Sequence, residues 1–256
     1  MVNVITIPAL GDNLMYLVRY GGDDSFVVDP GDASSVLKIL KKHSLNLRAI
    51  LLTHHHWDHV AGAGALKRKT GCEIVAGEGR GSRDVDKVVE DGRILEMGKA
   101  RIEVLSTPGH TRMSVCYYLQ PSNENPKGML WTGDTLFIGG CGRLFECDPQ
   151  AMWDSLLELA SLPDETLVYC GHEYTLENYE FAVSIEPDNE VIQQHLDEVR
   201  QAKRRGEQTV PSTIRQERAT NPFLRAGAPE LKAALGMTNT RAVEVFAELR
   251  RRKDVF

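Results

Sequence analysis

The sequence predicts an α/β fold, sheets covered by helices, followed by a smaller all-helical C-terminal part. Three observations predict it. Strand-like and helix-like segments alternate through the first 170 residues. Strand signals then stop after Tyr174. The charge balance changes at the same place: residues 1–173 hold 17 basic and 23 acidic side chains, and residues 174–256 hold 13 of each.

Val2–Ile7 and Leu14–Tyr20 read as strands joined by the turn residues Gly11-Asp12-Asn13, and a second turn at Gly21-Gly22-Asp23-Asp24 leads to the strand Ser25–Asp29. Ala33–His43 carries Val36, Leu37, Ile39 and Leu40 at helical spacing with lysines opposite. Arg48–Leu52 is a short buried-type strand, Val60–Lys69 a helix ended by Gly71, and Glu73–Ala76 another strand. A second series follows: strands Ile94–Glu96, Arg101–Leu105, Val115–Leu119 and Met129–Trp131, the helix Gln150–Leu162, and the strand Leu167–Cys170. Beyond it, Glu177–Ile185, Glu190–Arg205, Pro229–Leu235 and Thr240–Lys253 read as helices separated by Pro and Gly. The expected domains are 1–173 and 174–256.

The 256 residues are 42% hydrophobic and 26% charged, an ordinary globular composition that excludes general disorder. A net charge of -6 argues against a nucleic-acid surface. No apolar run approaches the ~18 residues of a membrane span. Residues 1–10 lack the basic start and long apolar core of an export signal. Five cysteines without a CxxC pair read as reduced thiols in a cytoplasmic protein.

Chemistry concentrates in Thr53-His54-His55-His56-Trp57-Asp58-His59, directly after a strand, where four of the chain's eight histidines fall within six residues. Neutral imidazoles suit zinc and iron, and a carboxylate adds a harder donor. The bland alternative, a solvated surface cluster, is weakened by three further strand ends. His110 follows Arg101–Leu105, Asp134 follows Met129–Trp131, and His172 follows Leu167–Cys170, each beside a glycine. In layered α/β sheets, ligand-binding groups collect beyond strand ends. His55, His43 and His195 read as surface or supporting residues.

These motifs resemble the metallo-β-lactamase fold superfamily. Within it, THHHWDH at 53–59, GDTLF at 133–137, GCGR at 140–143, CGHEYT at 170–175, NPFLR at 221–225 and RRKD at 251–254 are similar to glyoxalase II, the hydroxyacylglutathione hydrolases. The resemblance runs the length of the chain. It implies a four-layered αββα sandwich at 1–173 and a helical substrate-binding domain at 174–256. It also implies two divalent cations, zinc with iron or manganese as alternatives. One would be held by His54, His56 and His110, the other by Asp58, His59 and His172, with Asp134 bridging. Asp58 and Asp134 would fix a bridging hydroxide that attacks the thioester of S-D-lactoylglutathione, giving glutathione and D-lactate in the second step of methylglyoxal detoxification.

A thioester suits that chemistry because a thiolate leaves with little protonation, and no GxSxG nucleophile motif is present. A nucleophile supplied by the metal site leaves no need for Cys141 or Cys170. The resemblance further places glutathione contacts at Arg143, Phe145, Tyr174, Asn178, Arg250 and Lys253. Arg250 and Lys253 lie at i, i+3, on one helical face, although complementing the helix dipole is a competing role for both. Phe145 stands where many relatives have tyrosine, and so loses a hydroxyl. The chain is expected to act as a monomer, without nucleic acid or membrane. The alternatives are an iron persulfide dioxygenase, which typically lacks the long helical tail, and a non-enzymatic metal- or glutathione-binding protein, which would show a missing ligand.

Overall fold

The computed structural model describes residues 2–77 and 84–256, so Met1, where the first expected domain begins, and the segment 78–83 lie outside the described residues. Its elements run β1 (Asn3–Ala9), β2 (Asn13–Gly21), β3 (Asp24–Val28), α1 (Ala33–His43), β4 (Asn46–Leu52), α2 (Trp57–Val60), α3 (Ala63–Thr70), β5 (Glu73–Gly77), β6 (Lys87–Val89), β7 (Ile94–Met97), β8 (Ala100–Ser106), β9 (Val115–Leu119) and β10 (Met129–Gly133). There follow β11 (Leu136–Phe137), β12 (Gly140–Cys141), α4 (Pro149–Ala160), β13 (Leu167–Cys170), α5 (Thr175–Ile185), α6 (Glu190–Arg204), β14 (Ser212–Thr213), α7 (Ile214–Thr220), α8 (Pro229–Ala234) and α9 (Ala242–Lys253). Among these residues the chain packs as two compact units. Met1–Thr107 with Met113–Gly133 forms the first, and Pro108–Arg112 with Asp134–Phe256 the second.

In the first unit, β1 to β6 form one sheet in sequence order, antiparallel over β1-β2-β3 and parallel from β3 to β6. Alternation along β2 to β5 splits their side chains between two buried faces. Met15, Leu17, Val27, Ile50, Leu52 and Ile74 form one core with Val36 and Leu40 of α1 and Leu66 of α3. The other face meets the antiparallel run β10-β9-β8-β7. There Phe26 packs edge-on against Trp131 at 5.5 Å and 84°, and the Tyr117 hydroxyl donates to the Leu52 carbonyl at 2.8 Å. Burial on both faces explains why the strands read as nearly continuous apolar runs.

The expected helix Val60–Lys69 is two helices. The Gly62 N–H donates to the Pro30 carbonyl at 2.8 Å, and a Cβ on Gly62 would sit 2.4 Å from that oxygen. This close approach interrupts the helix and leaves α2 as one isolated turn carrying Asp58 and His59. The three-residue strand β6 carries no alternation long enough to read in the sequence.

The second unit is mainly helical. Asp148 caps α4 by accepting from Ala151 N–H at 2.9 Å, with Pro149 in the first turn. Trp153 of α4 meets Phe246 of α9 at 5.9 Å, and Phe181 stacks on Phe223 at 6.0 Å. Strand signals do not end entirely at Tyr174, because the two-residue β14 pairs antiparallel with β13. The helix α7, absent from the sequence expectation, is capped by Thr213, whose hydroxyl accepts from Gln216 N–H. No described helix is long and apolar enough to cross a membrane.

Candidate metal centre

The first unit supplies four of the expected donors from the end of β4 and the single turn α2. His54 and His59 are buried, His56 and Asp58 partly so, and His55 is exposed. His54 Nε2 lies 3.1 Å from His56 Nδ1, and His59 Nε2 lies 3.5 Å from Asp58 Oδ2. Asn13, the first residue of β2, donates its side-chain N–H to Asp58 Oδ2 at 3.0 Å. Asp29, at the end of β3, accepts from the backbone N–H and the hydroxyl of Thr53 at 2.8 and 2.6 Å and from His59 Nδ1 at 3.0 Å.

The second unit supplies the other three donors, all buried. His110 Nε2 and His172 Nε2 each lie 3.4 Å from the same oxygen, Asp134 Oδ2. His110 Nδ1 lies 2.9 Å from the Arg143 carbonyl. A carbonyl only accepts, so Nδ1 carries a proton, and the neutral ring then presents its Nε2 lone pair to the carboxylate. The same holds for His59, whose Nδ1–H faces Asp29. Where the ring is neutral, this sets lone pair against lone pair, a repulsion that a cation between the two donors relieves. Two donors bound at ~2.0–2.1 Å to a tetrahedral ion lie about 3.3 Å apart. The observed separations of 3.1, 3.4, 3.4 and 3.5 Å fit that geometry. The residues therefore fit a divalent metal.

Aromatic rings brace these imidazoles. Tyr174 stacks on His172 at 4.9 Å and 1°, and Phe145 meets His110 edge-on at 5.2 Å while remaining 62% exposed. The Arg143 side chain is exposed, 3.9 Å from Asp254. The remaining substrate expectations fall on residues with internal partners. Asn178 is buried and donates to the Ile138 carbonyl at 3.0 Å. Arg250 is buried, donates to the Cys141 carbonyl at 2.7 Å and to Asp254 at 3.0 Å, and lies over the Phe223 ring. Lys253 donates to Glu177 Oε1 at 3.0 Å, and burial pulls its amine below the ordinary lysine range.

Cys141 and Cys170 are poor nucleophiles, because burial pushes their thiols up to about 11 and about 12. No disulfide joins any of the five cysteines.

Sequence reasoning missed Asp29, Thr53 and Asn13. Asp29-Pro30-Gly31 offers a related signal, an acidic residue at a strand end with a glycine two positions on. It also missed Glu217, a buried carboxylate that accepts from Ser212 Oγ, Gly139 N and Asn221 Nδ2. With Asn221, which donates to the Phe137 and Gly140 carbonyls, Glu217 gives the NPFLR motif its role: it holds the β11–β12 hairpin that leads to Arg143.

A model of the metallo-β-lactamase superfamily matches residues 9–172, and one described as the hydroxyacylglutathione hydrolase C-terminus matches residues 173–256. Hydroxyacylglutathione hydrolases of Methylococcus capsulatus and Photobacterium profundum are each 44% identical, covering all of this chain and 99% and 100% of theirs. Among solved structures, ETHE1 from Myxococcus xanthus aligns with a TM-score of 0.66 at 24% identity, over 100% of this chain and 99% of that one. TTHA1623 in a di-iron-bound form aligns with a TM-score of 0.60 at 26% identity, over 87% of this chain and all of that one. Full-length identity at this level, with both family models matched end to end, shows that the chain belongs to the hydroxyacylglutathione hydrolase family of the metallo-β-lactamase superfamily.

Proposed function

We propose that the chain hydrolyses S-2-hydroxyacylglutathiones, S-D-lactoylglutathione above all, to glutathione and the free hydroxy acid. In this reading His54, His56 and His110 hold one divalent cation, and Asp58, His59 and His172 the other, with Asp134 shared. The observation that carries it is the approach of two imidazole Nε2 atoms to one carboxylate oxygen, each at 3.4 Å. The ions, when bound, lower the pKa of a water to near neutrality and act as Lewis acids toward the acyl oxygen.

Asp58 and Asp134 orient the attacking water. Asn13 fixes the carboxylate of Asp58 for that task. The departing thiolate needs no general acid, and burial keeps the Cys141 and Cys170 thiols from serving as nucleophiles. Arg143 and Lys253 offer positive charge to the carboxylates of glutathione, while Phe145 and Tyr174 offer ring faces. Arg250 and Asn178 serve the same subsite by fixing the 138–141 backbone. Residues 1–173 are then the hydrolase domain and 174–256 the substrate-binding domain of a cytoplasmic monomer. Zinc suits the nitrogen-rich donor set, and the di-iron neighbour supports iron as the alternative.

The test follows loss of thioester absorbance with S-D-lactoylglutathione before and after chelation. Chelator-sensitive hydrolysis is expected. Oxygen uptake with glutathione persulfide and no thioester cleavage would overturn the reading.

A further inference from the structure

Asp29 clusters with His54 and His59, and its carboxylate meets Thr53 and the Nδ1 edge of His59. It is buried and holds a left-handed backbone at φ 49, which costs a non-glycine residue roughly 1 kcal/mol or more. Its own N–H donates to the Leu51 carbonyl at 3.1 Å, and its carbonyl accepts from Gly31 N–H at 2.9 Å, so the loop is fixed on both sides. The side chain then makes the three contacts described above, to Thr53 twice and to His59.

Proton counting determines what these contacts do. A carboxylate only accepts, so His59 Nδ1 must carry its proton toward Asp29. The single hydroxyl proton of Thr53 also goes to Asp29, at 2.6 Å. Thr53 Oγ1, 3.0 Å from His54 Nδ1, can therefore only accept there, which places the His54 proton on Nδ1. In their neutral, metal-binding form both rings are thus set with Nε2 as the lone-pair nitrogen. Gly133 leaves the room for this relay: its φ is 48, and a Cβ there would lie 2.2 Å from Thr53 Oγ1.

We propose that Asp29 is a positioning residue shared by both ions, orienting His59 directly and His54 through Thr53, so that one buried carboxylate preorganises one imidazole of each metal position. The proposal rests on the dimetal reading. Loss of such an outer partner typically weakens metal affinity ten- to a hundredfold.

The experiment titrates the metal-free full-length chain with Zn2+ against a chromophoric chelator, and measures the melting temperature of the same metal-free protein. Asp29→Asn keeps the shape but puts an N–H where a donor must be accepted. It is expected to weaken both ions at least about tenfold, with the metal-free melting temperature little changed. Asn13→Ala, which removes a contact to Asp58 alone, should weaken one ion only. Asp29→Asn affinities within about threefold of wild type for both ions, or a loss confined to one, would overturn the proposal. If Asp29→Asn does not fold, Thr53→Val and Thr53→Ser carry the test. Valine should weaken one ion about tenfold and serine neither, while equal affinities in the two variants would overturn the relay. A wild-type chain that binds fewer than two ions would refute the dimetal reading itself, a distinct outcome.

Discussion

Replacing Glu217 by glutamine should make the protein more stable in mildly alkaline solution and leave it unchanged in acid. Glu217 is fully buried and accepts from Ser212 Oγ at 2.6 Å, Gly139 N at 2.8 Å and Asn221 Nδ2 at 3.0 Å. Burial dominates those donors and pushes its carboxyl up to about 7 from an ordinary 4.5. The folded state therefore keeps a proton that the unfolded chain releases. Its contribution to stability is fully present below about 4.5 and is lost as pH rises through about 7. Over that interval, at about 1.4 kcal/mol per pH unit, the loss comes to about 3 kcal/mol. Glutamine offers one oxygen to Gly139 and Asn221 and an N–H to Ser212, whose hydroxyl can turn to accept it. Urea unfolding midpoints of wild type and Glu217→Gln should coincide near about pH 5 and separate by up to about 3 kcal/mol near about pH 8, the variant being the more stable. Parallel pH profiles, or a variant less stable at the alkaline end, would refute the reasoning.

Three further outcomes test the proposed chemistry. Asp134→Ala should lower both ion content by elemental analysis and the rate of thioester hydrolysis, and full dimetal occupancy in an active variant would exclude the shared carboxylate. Arg250→Ala and Lys253→Ala should separate. The buried Arg250 loses charge-assisted hydrogen bonds worth roughly 1.5–3 kcal/mol of stability, seen as a lower unfolding midpoint, whereas Lys253→Ala should raise KM for lactoylglutathione with little change in kcat or in turnover of a small thioester lacking glutathione. Phe145→Tyr restores a hydroxyl on an exposed ring beside His110 and should lower KM by about two- to tenfold, the value of one net hydrogen bond.

Elements with long, regular apolar patterns were legible in the sequence to within a residue or two. The expected bounds of α1, β9 and β13 coincide with those of the structure. The break between α2 and α3 was not, because it depends on Pro30, more than thirty positions away, coming close to Gly62. The strands β6, β11, β12 and β14 are too short to show a period. At the site, donors that follow a strand and sit beside glycine announced themselves. The groups that orient them did not, since Asp29, Thr53 and Asn13 gain their roles only when distant turns fold together. Arg250 shows another limit: the resemblance placed it against substrate, and nothing in the sequence announced that its guanidinium also meets the Cys141 carbonyl.

Of the chain's three tryptophans, Trp131 and Trp153 lie in packed interiors at 0% and 8% exposure, while Trp57 is 69% exposed. Trp57 is flanked in the chain by His56 and Asp58. The protein thus carries one intrinsic fluorophore between two of its proposed metal donors, in contact with solvent, and two that are shielded from it. A soluble quencher reaches the first and spares the others, and a paramagnetic cation held by its neighbours would darken the same signal. Loading with such a cation would then be readable as fluorescence of the unmodified chain, without substrate.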